Sequence, residues 1–340
     1  MDCWVKTDND PGCSVPSMRM LLSFLLLLCF FGQLEAASYH LDGPDADVIG
    51  ATYRMTVKES QTLLDIAREN DVGQDEIVLA NPGVDRWLPE PGSEVLIPAQ
   101  YVLPAAERKG LVLNLPEMRL YYFRTPHEVQ TYPVSIGRMD WKTPLGKARI
   151  VRKQKNPAWH PPESVKKEAA AKGETVPDVV PAGPDNPLGE YALRLNLPGY
   201  LIHGTNKPWG VGMRVTHGCV RLLPEDIEQL FREVKVNTQV QIVNQPVKVG
   251  WLDGVLYLEV HPPVEEHLTA KGDILRYAKE VIYKELEKRP AILIGSRVKQ
   301  AIREQNGVPV AISRITDEQP MPITNPLFRR GFLNRVMRTG

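Results

Sequence analysis

A series of short hydrophobic segments separated by tight turns constrains the fold most strongly. Residues 111–115 and 118–123 flank a Pro-Glu turn, residues 130–136 alternate between apolar and polar side chains, and residues 147–152 follow as another predicted strand. Alternation with a period of two indicates half-buried strands, and repeated short strands with tight turns favour an antiparallel β domain. The sequence therefore predicts a mainly β fold with some α-helix.

A smaller module is predicted ahead of these strands, at residues 50–99. Residues 53–57 and 94–97 have strand character, whereas residues 62–70 and 74–80 are predicted to be helices. The order strand, helix, helix, strand within so short a span predicts a self-contained βααβ unit.

Three further regions are distinct in composition. Residues 153–187 are rich in proline and form a long insertion with a charged helical patch; such insertions in compact domains are often lids or binding loops. Residues 250–312 are predicted to contain a hairpin around Asp253-Gly254 and then a small C-terminal α subdomain. The tail, residues 313–340, is expected to be disordered.

Residues 1–37 have the features of a leader peptide. Arg19 precedes an apolar run at residues 21–31, and small residues follow the run. This order is typical of a secretory signal, and the run is shorter than the roughly 20 residues of a membrane-spanning helix. We therefore expect an exported protein that is soluble after cleavage, with residues 38–50 as a polar lead-in.

Charge excludes one class of partner, and cysteine usage suggests a type of chemistry. The chain has 41 Lys and Arg residues and 41 Asp and Glu residues, so no nucleic-acid partner is expected. Cys3, Cys13 and Cys29 lie within the leader, which leaves Cys219 alone in the remainder. Exported proteins usually use cysteines in pairs, so a lone one is a candidate reactive thiol. The alternative is a buried, inert cysteine.

The residues around Cys219 favour the reactive alternative. A thiolate is the nucleophile, so a catalytic cysteine needs a base or a cationic partner. His203 and His217 are both available, and the sequence does not decide which imidazole faces the sulfur. Gly218 allows a sharp turn through which backbone N–H groups can converge on an oxyanion. Arg221 supplies a positive charge for a substrate carboxylate or carbonyl.

A zinc site is another alternative for the same residues. His203, His217 and Cys219 supply three ligands, but no fourth ligand follows with regular spacing. Structural histidines beside a buried cysteine are a further alternative.

Four motifs resemble the L,D-transpeptidase catalytic domain. They are I-H-G-T at 202–205, T-H-G-C-V-R at 216–221, T-P-L-G at 143–146 and N-P-L-G-E-Y-A-L at 186–193. The resemblance implies a β-sandwich-like catalytic domain at residues 108–245.

The flanking regions extend this resemblance. Residues 53–57, 62–67, 79–83 and 91–98 are similar to a LysM module, a fold that binds glycans containing N-acetylglucosamine. With G-W-L-D-G-V-L-Y-L-E-V-H-P-P at 250–263, the chain looks most like the periplasmic Gram-negative branch, which includes enzymes that anchor the murein lipoprotein.

The resemblance implies specific roles for the site residues. Cys219 is expected to be the nucleophile and His203 its base, with the Gly204 carbonyl orienting the imidazole. The remaining residues are expected to line the substrate and oxyanion site: Gly218, His217, Arg221 and Thr216. No cofactor and no metal are implied.

The implied activity is transfer of an acyl group from a peptidoglycan tetrapeptide stem through a thioester. The expected acceptor is a lysine of an outer-membrane murein lipoprotein or a second diaminopimelate, and the expected partners are peptidoglycan stems and glycan strands in the periplasm. One alternative is a hydrolase, an L,D-carboxypeptidase or endopeptidase. The other is a peptidoglycan-binding protein without catalytic activity.

Overall fold

The computed structural model describes residues 37–43, 46–138, 141–264 and 271–314. The predicted leader (1–37) and the predicted disordered tail (313–340) therefore lie outside the described residues, apart from a residue or two at their inner ends. No helix within the described residues has the length and apolarity needed to cross a membrane.

The described elements alternate short strands with few helices. The strands are β1 (Ser38–His40), β2 (Val48–Gly50), β3 (Tyr53–Thr56), β4 (Glu94–Ile97), β5 (Gln100–Val102), β6 (Gly110–Asn114), β7 (Arg119–Thr125), β8 (Glu128–Pro133), β9 (Ile136–Gly137), β10 (Gly146–Lys155), β11 (Tyr191–Leu195), β12 (Leu201–His203), β13 (Arg214–Thr216), β14 (Val220–Arg221), β15 (Gln239–Val243), β16 (Val247–Leu252), β17 (Val255–Val260) and β18 (Val310–Ala311). The helices are α1 (Leu63–Glu69), α2 (Gln74–Ala80), α3 (Glu163–Ala171), α4 (Pro224–Glu233), α5 (Lys271–Lys288) and α6 (Gly295–Glu304). The predicted mainly β class is confirmed.

One sheet organises residues 38–243. In the described residues its strand order is β1-β8-β7-β6-β15-β10-β11-β12-β14, with parallel pairing only at β6–β15 and β12–β14. The sheet curls around a core in which Ile227 and Leu230 of α4 pack against Leu193 and Ile202. Burial of these apolar side chains is the main driving force that fixes α4 against the end of the sheet carrying β12 and β14.

The segment before the first module differs from the prediction. Residues 38–50 were expected to be a polar lead-in, but Ser38–His40 pairs antiparallel with β8, and Val48–Gly50 pairs with β5. Strands of three residues are too short to show a hydrophobic period, so the pairing partner decides their conformation.

The predicted strand–helix–helix–strand order is present at residues 53–97, where β3 and β4 pair antiparallel and α1 and α2 cover them. Thr62 begins α1 with a capping box to Asp65. Asn81 links α2 to β4, because its amide donates to the Ile77 and Leu96 carbonyls and its oxygen accepts from the Leu96 N–H. These contacts make residues 53–97 a unit with its own small core.

This unit is joined to the curled sheet through a buried arginine. Arg119 of β7 is 1% exposed and donates to both carboxylate oxygens of Glu76 in α2, at 3.1 and 2.8 Å, and to the Asp71 carbonyl at 2.9 Å. Its guanidinium also lies 4.0 Å from the Tyr101 ring centroid. The Glu76 carboxylate therefore compensates the guanidinium charge, which would be costly to bury without a partner.

The same unit also contacts the chain between β12 and β14. Asp75 donates its N–H to the Gly212 carbonyl at 3.1 Å. Gly212 has φ +87°, and a Cβ there would lie 2.3 Å from the Gln74 nitrogen, so only glycine fits this approach.

The C-terminal part packs β16, β17 and β18 against α5 and α6. A fully buried polar cluster joins it to the curled sheet: Lys248 Nζ lies 2.6 Å from Glu117 and 2.8 Å from Glu259, and His261 contacts the same Glu259 oxygen. In the described residues, Glu117, Glu259 and His261 are the one set of acidic, His or Cys groups placed closely enough to hold a metal ion. The Lys248 ammonium lies against both carboxylates, so it already supplies the compensating positive charge.

Candidate active site

Two parallel strands place Cys219 and His203 on one face of the sheet. Ile202 of β12 is in register with Val220 of β14, and both are buried in the core. Because side chains alternate along a strand, His203 and Cys219 point to the opposite face. They are diagonal neighbours, with Cα atoms about 8 Å apart for ideal strand spacing and rise. Both side chains line the same cavity.

His203 is buried, with its ring orientation fixed by the backbone. Its Nδ1 lies 2.6 Å from the Gly204 carbonyl oxygen. A carbonyl only accepts, so Nδ1 carries the hydrogen and Nε2 keeps its lone pair. Burial, followed by the nearby Arg221 charge, lowers the pKa of His203 to about 4, and hydrogen bonding to the Gly204 and Leu188 backbone does not offset this. His203 is therefore a neutral imidazole at neutral pH.

The segment Asn186–Gly189 supports this imidazole from behind. Asn186 is 0% exposed, and its oxygen accepts from the Leu188 N–H at 2.9 Å. Gly189 has φ +67°, and a Cβ there would lie 2.7 Å from the Thr205 nitrogen, so a larger residue would separate this segment from Gly204. The N-P-L-G motif thus has a physical explanation in close backbone packing.

Cys219 is half-buried, with its sulfur 3.6 Å from the Gly199 carbonyl oxygen. Burial raises the pKa of the Cys219 thiol; a hydrogen bond from the Leu201 backbone and the Arg221 charge act in the opposite direction but are smaller. The resting pair is therefore a thiol and a neutral imidazole, not a thiolate and an imidazolium.

A tight turn holds Cys219 in place. The Thr216 hydroxyl accepts from the Gly218 N–H at 3.2 Å and donates to the Cys219 carbonyl at 2.6 Å. Thr143, from the T-P-L-G motif, donates to the Gly218 carbonyl at 2.8 Å and accepts from the Gly137 N–H. The Gly218 N–H, which was predicted to face an oxyanion, is thus engaged within the turn, and the Thr216 hydroxyl is used to form that turn.

Two arginines give the cavity a positive character. The cavity has a volume of about 220 Å³ and is lined by Arg194 and Arg221 as well as by the thiol and the imidazole. Among the described residues, Arg221 Nε is buried without a hydrogen-bond partner. Arg221 therefore brings a positive charge to the wall of the cavity that holds the Cys219 thiol.

His217 lies at the rim of the cavity, where its contacts do not place it as the base for Cys219. Its Nε2 lies 2.9 Å from Glu168 of α3, and its ring contacts Trp141 edge to face, with centroids 5.0 Å apart. The sequence left open which imidazole serves Cys219; the geometry favours His203. A zinc site of His203, His217 and Cys219 is not among the sets of closely placed ligand atoms in the described residues.

Sequence reasoning missed three supporting residues. Thr143, Glu168 and Asn186 each contact the catalytic segments from another part of the chain. Thr143 and Asn186 stand inside recognised motifs, which is the signal that would have found them. Glu168 lies in a charged helix with no local feature to distinguish it from its neighbours.

Comparison with known proteins identifies the class that this fold and site define. Residues 108–242 match the YkuD family, the L,D-transpeptidase catalytic domain. The chain belongs to the L,D-transpeptidase family and is an enzyme of the Gram-negative type.

Individual relatives extend the match beyond the catalytic domain. The Probable L,D-transpeptidase ErfK/SrfK of Escherichia coli is 38% identical over 87% of this chain and 97% of its own length. The Probable L,D-transpeptidase YbiS of Escherichia coli is 37% identical over 84% and 94%. Among solved structures, the catalytic domain of the E. faecium L,D-transpeptidase is 18% identical, covers 41% of this chain and 100% of its own, and has a TM-score of 0.33.

Proposed function

We propose that the chain is a cysteine L,D-transpeptidase that acts on tetrapeptide stems of peptidoglycan through a thioester on Cys219. The observation that carries the proposal is the placement of Cys219, directly before β14, and the neutral, buried His203 of the neighbouring parallel strand β12 in one cavity. Membership of the family supplies the substrate class.

Acylation begins when Cys219 Sγ attacks the carbonyl carbon of the L-centre of meso-diaminopimelate. His203 Nε2 takes the thiol proton as the C–S bond forms, because neither group is charged at rest. The negative charge that develops on the carbonyl oxygen is stabilised by Arg221 and by backbone N–H groups near the sulfur. The bond to the terminal D-alanine then breaks, and His203 returns the proton to the departing amine.

Deacylation repeats these steps with an incoming amine. The acceptor nitrogen attacks the thioester, His203 removes its proton, and the C–S bond breaks to regenerate the thiol after proton return. We propose a lysine of a murein lipoprotein or a second diaminopimelate as the amine. With water as acceptor, the same steps make the site a carboxypeptidase or an endopeptidase.

We assign the remaining regions to export of the protein and to binding of glycan strands. Residues 1–37 direct export, so the enzyme works in the periplasm.

Residues 50–99 act as a LysM-like module that holds glycan strands. An exposed pair on this module, Trp87 and Leu88, is available for such a contact. Binding of purified peptidoglycan sacculi by wild type, but not by Trp87→Ala with unchanged thermal stability, tests this part separately.

The main experiment incubates the purified full chain with disaccharide-tetrapeptide and follows it by intact-protein mass spectrometry. We expect a covalent adduct with loss of D-alanine, which maps to Cys219 and is absent in Cys219→Ala. His203→Gln should slow adduct formation without changing the fold. The lack of any adduct, or an adduct that persists in Cys219→Ala, would contradict thiol acyl transfer.

A second step identifies the acceptor. Adding a peptide with a C-terminal lysine should release a stem-linked peptide, whereas a diaminopimelate acceptor should give cross-linked dimers. Release of free tripeptide stems in the presence of both acceptors would identify the hydrolase instead.

A further inference from the structure

Glu168 connects the long insertion to two walls of the thiol cavity. It lies on α3, and its Oε2 accepts from His217 Nε2 at 2.9 Å and from the Arg138 guanidinium, while its Oε1 accepts from Lys172 at 2.8 Å. Arg138 follows β9, and His217 lies two residues before Cys219. One carboxylate thus links the insertion to both the β9 loop and the catalytic turn.

The insertion forms one side of the cavity. Trp159, His160 and Val165 line it together with His203 and Cys219. Val165 lies on α3, so its position depends on where α3 is held.

The base of the insertion is closed independently of Glu168. Trp159 and Val180 exchange backbone hydrogen bonds at 2.9 and 2.8 Å. The Asn186 amide donates to the carbonyls of Pro157, Val180 and Pro181. The helix α3 lies beyond this closed base, so contacts of its own side chains determine how close it stays to the thiol.

We propose that Glu168 is a positioning residue that latches the insertion over Cys219 and thereby sets which acyl donors reach the thiol. This inference rests on the proposed function for its substrate, a peptide stem. The cavity volume of about 220 Å³ is below the roughly 300–1,000 Å³ of typical ligand sites. Displacement of the latched insertion therefore enlarges the space for a stem that carries its glycan.

The latch is electrostatic and persists over a wide pH range. Hydrogen bonds from Arg138, then from Lys172 and His217, hold the pKa of Glu168 well below its usual range. The carboxylate is therefore ionised at any working pH and keeps its contacts with Arg138 and Lys172. Since the group is near solvent, salt should weaken the latch.

The test measures access to the Cys219 thiol in the full chain, which does not depend on transpeptidase activity. Alkylation rates are compared for iodoacetamide and for a maleimide that carries a polyethylene glycol chain, and labelling is quantified on the tryptic peptide 215–221. In Glu168→Ala we expect the bulky-to-small rate ratio to rise roughly fivefold or more, with a smaller rise in Glu168→Gln. The matched control is Asp178→Ala, which removes the exposed Lys166–Asp178 ion pair of the same insertion and should leave the ratio unchanged.

Steady-state kinetics provide a second measurement. If the tetrapeptide is a substrate, Glu168→Ala should lower KM for it more than it changes kcat, because the variant eases access and leaves the reacting groups unchanged. An unchanged rate ratio, or an equal rise for both reagents, in a variant with wild-type thermal stability overturns the latch. Either result leaves the thioester experiment unaffected.

Discussion

Replacing Arg119 with methionine tests whether the βααβ unit at residues 53–97 is an integral part of the catalytic fold. Arg119 and Glu76 have side-chain exposures of 1% and 9%, and the pair is bidentate. Breaking a buried pair by removing one partner costs about 3–5 kcal/mol, because the remaining charge is left uncompensated. We therefore expect Arg119→Met to lower the free energy of unfolding by about 3–5 kcal/mol.

The double variant Arg119→Met/Glu76→Gln separates charge from packing. Glutamine retains the shape of Glu76 and can still form the capping-box contact with the Gly73 N–H. Since the Glu76 charge is then removed together with its partner, the double variant should recover much of the loss seen in Arg119→Met.

The assay is urea unfolding monitored by tryptophan fluorescence, with Arg54→Ala as the matched control on the same unit. Arg54 and Glu94 are 62% and 65% exposed and 4.0 Å apart, so this variant should cost less than about 1 kcal/mol. A loss below about 1 kcal/mol in Arg119→Met, or a double variant as unstable as the sum of its single variants, would refute the reasoning.

The remaining predictions concern the site and its supports. Because the folded-state pKa of His203, about 4, lies below its usual value of about 6.5, its contribution to stability is complete above pH 6.5 and is lost as the pH falls towards 4. Wild type should thus lose about 3 kcal/mol over this range relative to His203→Gln, measured by thermal unfolding at a series of pH values. Because burial raises the pKa of the Cys219 thiol, its alkylation rate with iodoacetamide should still be rising above pH 9, and Arg221→Met should shift the profile further to high pH. Asn186→Ala leaves buried carbonyls unpaired and should cost about 1–3 kcal/mol of stability, measured by thermal unfolding; a change within error would show that other donors replace the amide.

The local sequence pattern predicted those elements whose pairing partners lie close by in the chain or whose hydrophobic periodicity is clear. The strand Glu94–Ile97 and the helix Gln74–Ala80 have the predicted bounds. The strand Ser38–His40 was not predicted, because three residues carry no period and its partner lies some 90 residues away.

The candidate site was predicted in part. The motifs indicated Cys219 and His203, but the residues alone did not show which histidine, His203 or His217, faces the sulfur as its base. That choice depends on Glu168, 49 residues from His217, and on the burial of His203. Gly218 was expected to direct backbone N–H groups towards an oxyanion. In the structure, the Gly218 N–H donates to the Thr216 hydroxyl within the turn. Tertiary contacts of this kind have no local sequence signal.

The neutral resting pair bears on the choice between transfer and hydrolysis. The burial that lowers the pKa of His203 and raises that of Cys219 should also limit water near the proposed thioester, since both effects come from the same desolvated cavity. A neutral His203 cannot hold the acceptor as an imidazolium would, but it can accept a proton from an incoming ammonium or amine. An acceptor that brings its own apolar contacts to the latched insertion would then compete well with water. We therefore expect opening of the insertion, as in Glu168→Ala, to shift the acyl-enzyme towards hydrolysis.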